Sequence, residues 1–191
     1  MIGTDLHEKK KQLRKRITAK LKAIPEEDRA SASERIAEQV FSAPEYRHAK
    51  SVFLFVSMPT EPDTLPIIRQ AFRDGKWVYV PKCISKTEMI AVRIRDMAAL
   101  QPGAYGILEP SDCSETAQAN ELDLILVPCV SAWTDGRRLG HGAGYYDRFL
   151  SGNAEKTICL CFTEAMDPAI PTDENDIRMH RVISDAASNT L

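Results

Sequence analysis

The sequence predicts an α/β fold: a single three-layer domain with a mostly parallel central sheet and helices on both faces. Three observations carry that expectation. Several short apolar runs are nearly continuous, the pattern of strands covered on both sides. Residues 50–82 read as strand, helix and strand, a unit that favours parallel pairing with a right-handed crossover. No internal repeat, low-complexity stretch or linker divides the 191 residues, a length that suits one domain spanning 1–191 with a substantial core.

The elements follow in order. Leu6, Leu13, Ile17, Leu21 and Ile24 lie on one stripe of a helix over about 5–24 that stops before Pro25. Residues 1–22 hold eight basic side chains against two acidic ones, a net of +6. The whole chain carries −2, so the remainder carries −8. A second helix starts after Pro25 with Glu26, Glu27 and Asp28 at its positive end and runs to about Phe41, where Ala43-Pro44 ends it. Lys50 to Ser57 is a buried strand. Thr64 to Gly75 is a helix with Thr64 as N-cap and Gly75 as C-cap. Lys76 to Lys82, Glu88 to Arg95, Asp123 to Cys129 and Lys156 to Phe162 are further strands.

Composition narrows the function classes. With 25 Lys and Arg against 27 Asp and Glu, and 43% hydrophobic residues, the chain has ordinary globular balance. No apolar run approaches a membrane span and the N-terminus is polar, so a cytoplasmic protein without a membrane partner is expected. Five cysteines without a CxxC pair suggest neither a disulfide framework nor a cysteine zinc site, but small apolar filler.

The chemistry concentrates in Asp135 to Leu150. Gly136, Gly140, Gly142 and Gly144 follow a strand, where open α/β sheets bind ligands. Alternate glycines leave N–H groups open to an anion, and a following helix adds partial positive charge. Neither a P-loop nor the dinucleotide fingerprint is present. Arg137 and Arg138 precede the glycines, Tyr145 and Tyr146 offer flat faces, and Asp147 offers a carboxylate of the type Mg²⁺ takes. Together these suggest a Mg-nucleotide site.

At this point RLGHGAGYYDRFL, from Arg138 to Leu150, resembles the signature of the 5-formyltetrahydrofolate cyclo-ligase family. Lys10 to Arg14, Phe55 to Thr64, Tyr105 to Pro110, Asp123 to Pro128 and Ile170 to Ile177 are similar to further family segments, in family order. The resemblance implies ATP-binding by Lys10, Lys11, Gln12, Leu13 and Arg14 and by Arg138, Leu139, Gly140, His141, Gly142, Ala143, Gly144, Tyr145 and Tyr146. It implies folate contacts from Val56, Glu61 and the stretch His141 to Tyr145, and magnesium carboxylates at Asp147 and Asp176. Arg138 is the expected catalytic residue. The implied reaction converts 5-formyltetrahydrofolate to 5,10-methenyltetrahydrofolate with release of ADP and phosphate, with Mg²⁺ as cofactor and two small molecules as partners. Ala143 stands where many members have Gly or Lys, and Trp133 where the family commonly has Asp. Those departures keep open a folate- and ATP-binding paralogue without turnover. The basic first helix keeps open, more distantly, a nucleic-acid-binding module. Oligomeric state is not legible, with a monomer slightly favoured.

Overall fold

The computed structural model describes residues 2–103 and 106–186. Tyr105, in one of the family-like segments, lies outside them.

The basic helix α1 (Ile2–Ala23) stops before Pro25 as expected. It buries Leu13, Ile17 and Leu21 against the core and leaves Leu6 half-buried. Helix α2 (Glu26–Ser42) buries Ile36, Ala37 and Val40. Ala43-Pro44 does end it, but Pro44 also opens a short helix that the sequence reading did not foresee, α3 (Pro44–His48). A proline is tolerated in a first turn, where its missing N–H would have no partner anyway.

Strand β1 (Ser51–Leu54) is shorter than the apolar run that predicted it. The reason lies in Thr64, whose buried hydroxyl donates to the Phe55 carbonyl at 2.6 Å and accepts from the Ser57 N–H at 3.2 Å. A side chain takes over from the ladder there. Thr64 stands at the N-cap of α4 (Leu65–Arg73) as expected, with its carbonyl accepting the Ile68 N–H at 2.9 Å, but its side chain makes no cap bond; the Asp63 carboxylate accepts the Leu65 N–H at 3.0 Å instead. At the other end Gly75 N–H reaches Phe72 O and Lys76 N–H reaches Ala71 O, both at 3.0 Å, the paired bonds of a Schellman ending.

Strands β2 (Trp77–Cys83) and β3 (Met89–Ile94) follow, then the small β4 (Leu100–Pro102), β5 (Leu108–Pro110) and β6 (Thr116–Ala117). Next come β7 (Leu124–Val127), β8 (Ser131–Ala132), β9 (Arg138–Leu139), helix α5 (Tyr145–Phe149), β10 (Thr157–Cys161) and β11 (Arg181–Ser184). The central sheet has the order β11-β10-β7-β1-β2-β3-β6. Its five strands from β11 to β2 are parallel neighbours. Strand β3 runs antiparallel to β2, because residues 84–88 are too few for a crossover. Strands β4 and β5 form a separate pair, as do β8 and β9.

Every residue of β1, β7 and β10 is buried, so both faces of the sheet centre are covered. On one face the Phe53 ring packs on Phe149 and Tyr146 of α5, with ring centres 5.0 and 6.1 Å away. Cys159 and Cys161 fill β10 as small apolar side chains, both buried. The chain leaves β1 in one direction, through α4 to β2, and returns on its other side as β7. The carboxyl ends of β1 and β7 thus frame the point where strand order reverses, which in open α/β sheets is a crevice. No helix among the described residues is long and apolar enough to cross a membrane.

Candidate active site

The segment after β7 turns back as the β8–β9 hairpin, with Trp133 and Arg137 paired at its tip. Gly136 belongs to that tip and not to the expected cradle. Its φ is +88°, and a Cβ on it would stand 2.3 Å from the Met179 carbonyl. Arg137 also turns away, pairing with Asp135 at 2.7 Å.

What remains of the glycine segment is residues 140–144, which connect β9 to α5. The N–H groups of Gly140, His141, Gly142, Ala143 and Gly144 find no acceptor among the described residues. Five successive N–H groups without an acceptor among the described residues, at a strand end, are donors available to an anion. Helix α5 is only five residues long, so the donors matter here more than its dipole.

Cations surround this loop. On α1, Lys10 and Arg14 are one turn apart on the face toward the loop. Arg14 Nε–H donates to the Gly140 carbonyl at 2.8 Å. Burial lowers the Arg14 pKa, and the nearby Arg138 charge adds to that against the pull of Asp176. Lys10 Nζ–H donates to Asp176 at 2.6 Å and to Asp173 at 2.7 Å. Burial works against the Lys10 charge, but those two bonds outweigh it and the pKa is raised; the Lys10 bond in turn holds Asp173 below its usual value. The other expected α1 residues point elsewhere. Lys11 and Gln12 are exposed and face Glu8, while Leu13 is in the core.

Arg138 lies beneath the loop with a side chain only 4% exposed. Its Nη2 donates to both Asp147 oxygens at 2.9 Å and its Nη1 to the Pro128 carbonyl at 3.1 Å. Its Nε–H and the Tyr146 hydroxyl are buried without a partner among the described residues. Burial pushes the Tyr146 phenol pKa up, so it stays a neutral donor. Orphaned buried donors of this kind call for an acceptor from outside the protein.

At the end of β1 the carboxylate of Glu61 is buried, with one oxygen accepting the Met58 N–H at 2.8 Å. Its other oxygen is 2.8 Å from His141 Nε2, so the β1 end and the glycine loop meet across the switch point. Val56 is buried and Leu139 lies in the core, so the expected contacts from these two can come only from small exposed parts of each. Tyr145 donates through its hydroxyl to the Ser85 carbonyl at 2.9 Å.

Asp147 and Asp176 reach one edge of the site, since the Ile177 N–H lies 3.4 Å from Asp147. Among the described residues no three His, Cys, Asp or Glu side chains converge on a metal position. Magnesium bound through phosphate oxygens and water needs only one or two carboxylates, and these two fit that demand. Asp176 fits it best, because its Oδ1 accepts no bond among the described residues, whereas Asp147 has both oxygens on Arg138. Asp173 was missed in the sequence, although it stands three residues before Asp176 in a short acidic run.

Fold and site together define an α/β protein with an anion-receptive loop and a buried carboxylate facing each other at the sheet's switch point. The chain belongs to the 5-formyltetrahydrofolate cyclo-ligase family, whose family model matches residues 6–185. It is 30% identical over 196 residues to the mouse 5-formyltetrahydrofolate cyclo-ligase, covering 96% of this chain and 97% of that one. The Escherichia coli K12 5-formyltetrahydrofolate cyclo-ligase is 30% identical over 174 residues, or 88% of this chain and 96% of its own. The solved structure of Aquifex aeolicus 5,10-methenyltetrahydrofolate synthetase superposes with a TM-score of 0.83 at 30% identity, covering 93% of this chain and 90% of that one.

Proposed function

We propose that this chain closes 5-formyltetrahydrofolate to 5,10-methenyltetrahydrofolate with consumption of Mg-ATP. The observation that carries the reading is the loop of residues 140–144: five N–H donors without acceptors among the described residues, with Arg14 and Arg138 against Gly140, Lys10 one turn from Arg14 on α1, and His141 joined to Glu61.

A formamide oxygen is a poor leaving group, and phosphorylation makes it a good one. In the proposed reaction the formyl oxygen attacks the γ-phosphorus of ATP, the bond to the bridging oxygen breaks, and ADP leaves. The lone pair of N10 then adds to the imidate carbon, the carbon–oxygen bond breaks, phosphate departs and the N10 proton is lost to solvent. No enzyme nucleophile is needed, so the protein's part is positioning and charge. The N–H groups of residues 140–144 receive phosphate oxygens. Arg14 and Lys10 flank them, and Arg138 supplies charge from below, where only glycine at 140 allows so close an approach: a Cβ there would stand 2.9 Å from Nη1. Glu61 accepts from the amino and ring N–H edge of the pterin, which a buried carboxylate suits. Asp176, with Asp147 behind it, would hold Mg²⁺, which when bound neutralises phosphate charge.

Ion pairs of α1 with Asp167, Asp173 and Asp176 of the same chain support a small-molecule site over a nucleic-acid surface, since they neutralise part of the basic stripe. The test is to supply Mg-ATP and 5-formyltetrahydrofolate and follow the ultraviolet absorbance of the methenyl product. One ADP per product is expected. Binding of both ligands without product would instead make this chain the silent paralogue.

A further inference from the structure

Three glycines alternate along residues 140–144, and each faces a guanidinium. A Cβ on Gly140 would stand 2.9 Å from Arg138 Nη1, one on Gly142 3.4 Å from the Arg14 guanidinium carbon, and one on Gly144 2.7 Å from Arg148 Nη1. Arg138 and Arg14 have roles above; Arg148, on α5, has none. Its exposed guanidinium bridges two carbonyls in different parts of the fold. Nε–H donates to Thr87 O, in residues 84–88 between β2 and β3, at 2.6 Å. Nη2–H donates to Ala143 O at 2.6 Å. The same plane lies over the Tyr145 ring, 5.8 Å from its centre, and the Tyr145 hydroxyl is bound to Ser85 of the same β2–β3 connection.

The peptide group is planar and trans, so its C=O and N–H point in opposite directions. A guanidinium that fixes the Ala143 carbonyl therefore fixes the direction of the Gly144 N–H. Arg14 does the same at the other end, where its bond to the Gly140 carbonyl aims the His141 N–H. In both peptides the cation at the carbonyl end also polarises the N–H outward. We propose that Arg148 is a positioning residue for the reaction above: it straps the C-terminal half of the loop to the β2–β3 connection and aims the Gly144 N–H at the nucleotide phosphates. The inference rests on reading this loop as a phosphate site. An arginine suits the task because its rigid fork spans two acceptors, which a single ammonium does not.

The test compares Arg148→Ala and Arg148→Lys with the parent in steady-state kinetics, in calorimetric binding of ADP, and in thermal unfolding. Expected is a roughly tenfold rise in KM for ATP and in Kd for ADP in both variants, with KM for the folate and the unfolding midpoint nearly unchanged. Unchanged ATP and ADP parameters would overturn the proposal. So would an equal rise in both KM values with a lowered midpoint, which would mark a structural strap alone. Full recovery in Arg148→Lys would also overturn it, pointing to a charge contact in place of a bridge. Should the parent bind ADP without turning over, the function proposed above fails, while the ADP affinities still decide the role of Arg148.

Discussion

Arg138 is a buried charge held within the fold, to which the proposed reaction also gives a chemical role. It is paired with Asp147, bonded to the Pro128 carbonyl, and so close to Gly140 that a Cβ there would stand 2.9 Å from its Nη1. In the proposed reaction a charge placed there would act most on the transferring phosphoryl, an interaction stronger in the transition state than in the ground state. Arg138→Ala is expected to lower kcat by roughly 10²–10³, in line with the removal of one preorganised stabilising group, while KM for the folate changes little. Steady-state kinetics against both substrates decides the matter, and equal losses in both would assign Arg138 to general binding. The two aspartates separate in the same way. Asp176→Asn is expected to raise the Mg²⁺ concentration needed for half-maximal rate, because its Oδ1 is open among the described residues. Asp147→Asn is expected to raise it less and to lower kcat more, because it frees Arg138. A magnesium titration of each variant checks both.

At the scale of elements, α1 is a docked arm. Leu13, Ile17 and Leu21 seat it in the core, and the adjacent face carries Lys10 and Arg14 to the glycine loop. The face makes a prediction within one short run of sequence. Lys10→Ala and Arg14→Ala are each expected to raise KM for ATP about tenfold, or roughly 1.4 kcal/mol of binding. Lys11→Ala, whose side chain is 71% exposed, is expected to change it less than about twofold, within the small range typical of exposed sites. The start of β1 shows a different device. Asp123 Oδ2 accepts the Lys50 and Ser51 N–H groups, both at 2.9 Å, and the Ser51 hydroxyl at 3.1 Å, which pins β1 beside β7. Partial burial opposes the Asp123 charge, but these bonds outweigh it and the pKa is lowered. A carboxylate with a depressed folded-state pKa stabilises above its unfolded value, about 3.9, and loses that contribution as pH falls through the folded one. The stability gap between the parent and Asp123→Ala is therefore expected to be constant near neutrality and to shrink below about pH 4. Denaturant unfolding at pH 7 and pH 3 measures it.

For the molecule as a whole, the site exists because the sheet changes direction between β1 and β7, bringing residues 80 positions apart, Glu61 and His141, within 2.8 Å. Much of this was legible beforehand. Continuous apolar runs marked β1, β7 and β10 because buried parallel strands need no polar face, and the stripe Leu13, Ile17, Leu21 marked the docked side of α1. The glycine spacing marked the loop. The sequence did not reveal which side chains of Lys10 to Arg14 would face it, since that depends on the helix rotation set by packing. Nor did it reveal that at the α4 N-cap, Thr64, the side-chain bond to the helix comes from Asp63, because the Thr64 hydroxyl is drawn to the Phe55 carbonyl. Arg148 and Asp173 were missed because their partners, Thr87 and Lys10, are far off in the chain. The fold thus brings the loop of residues 140–144 and the Glu61 carboxylate together, and the central claim of the proposed function is that phosphate passes directly onto the formyl oxygen. The most direct measurement uses 5-formyltetrahydrofolate carrying ¹⁸O in the formyl group, with mass analysis of the inorganic phosphate formed. The account predicts one ¹⁸O atom in each phosphate released. Unlabelled phosphate, with the methenyl product formed at the usual rate, would contradict it.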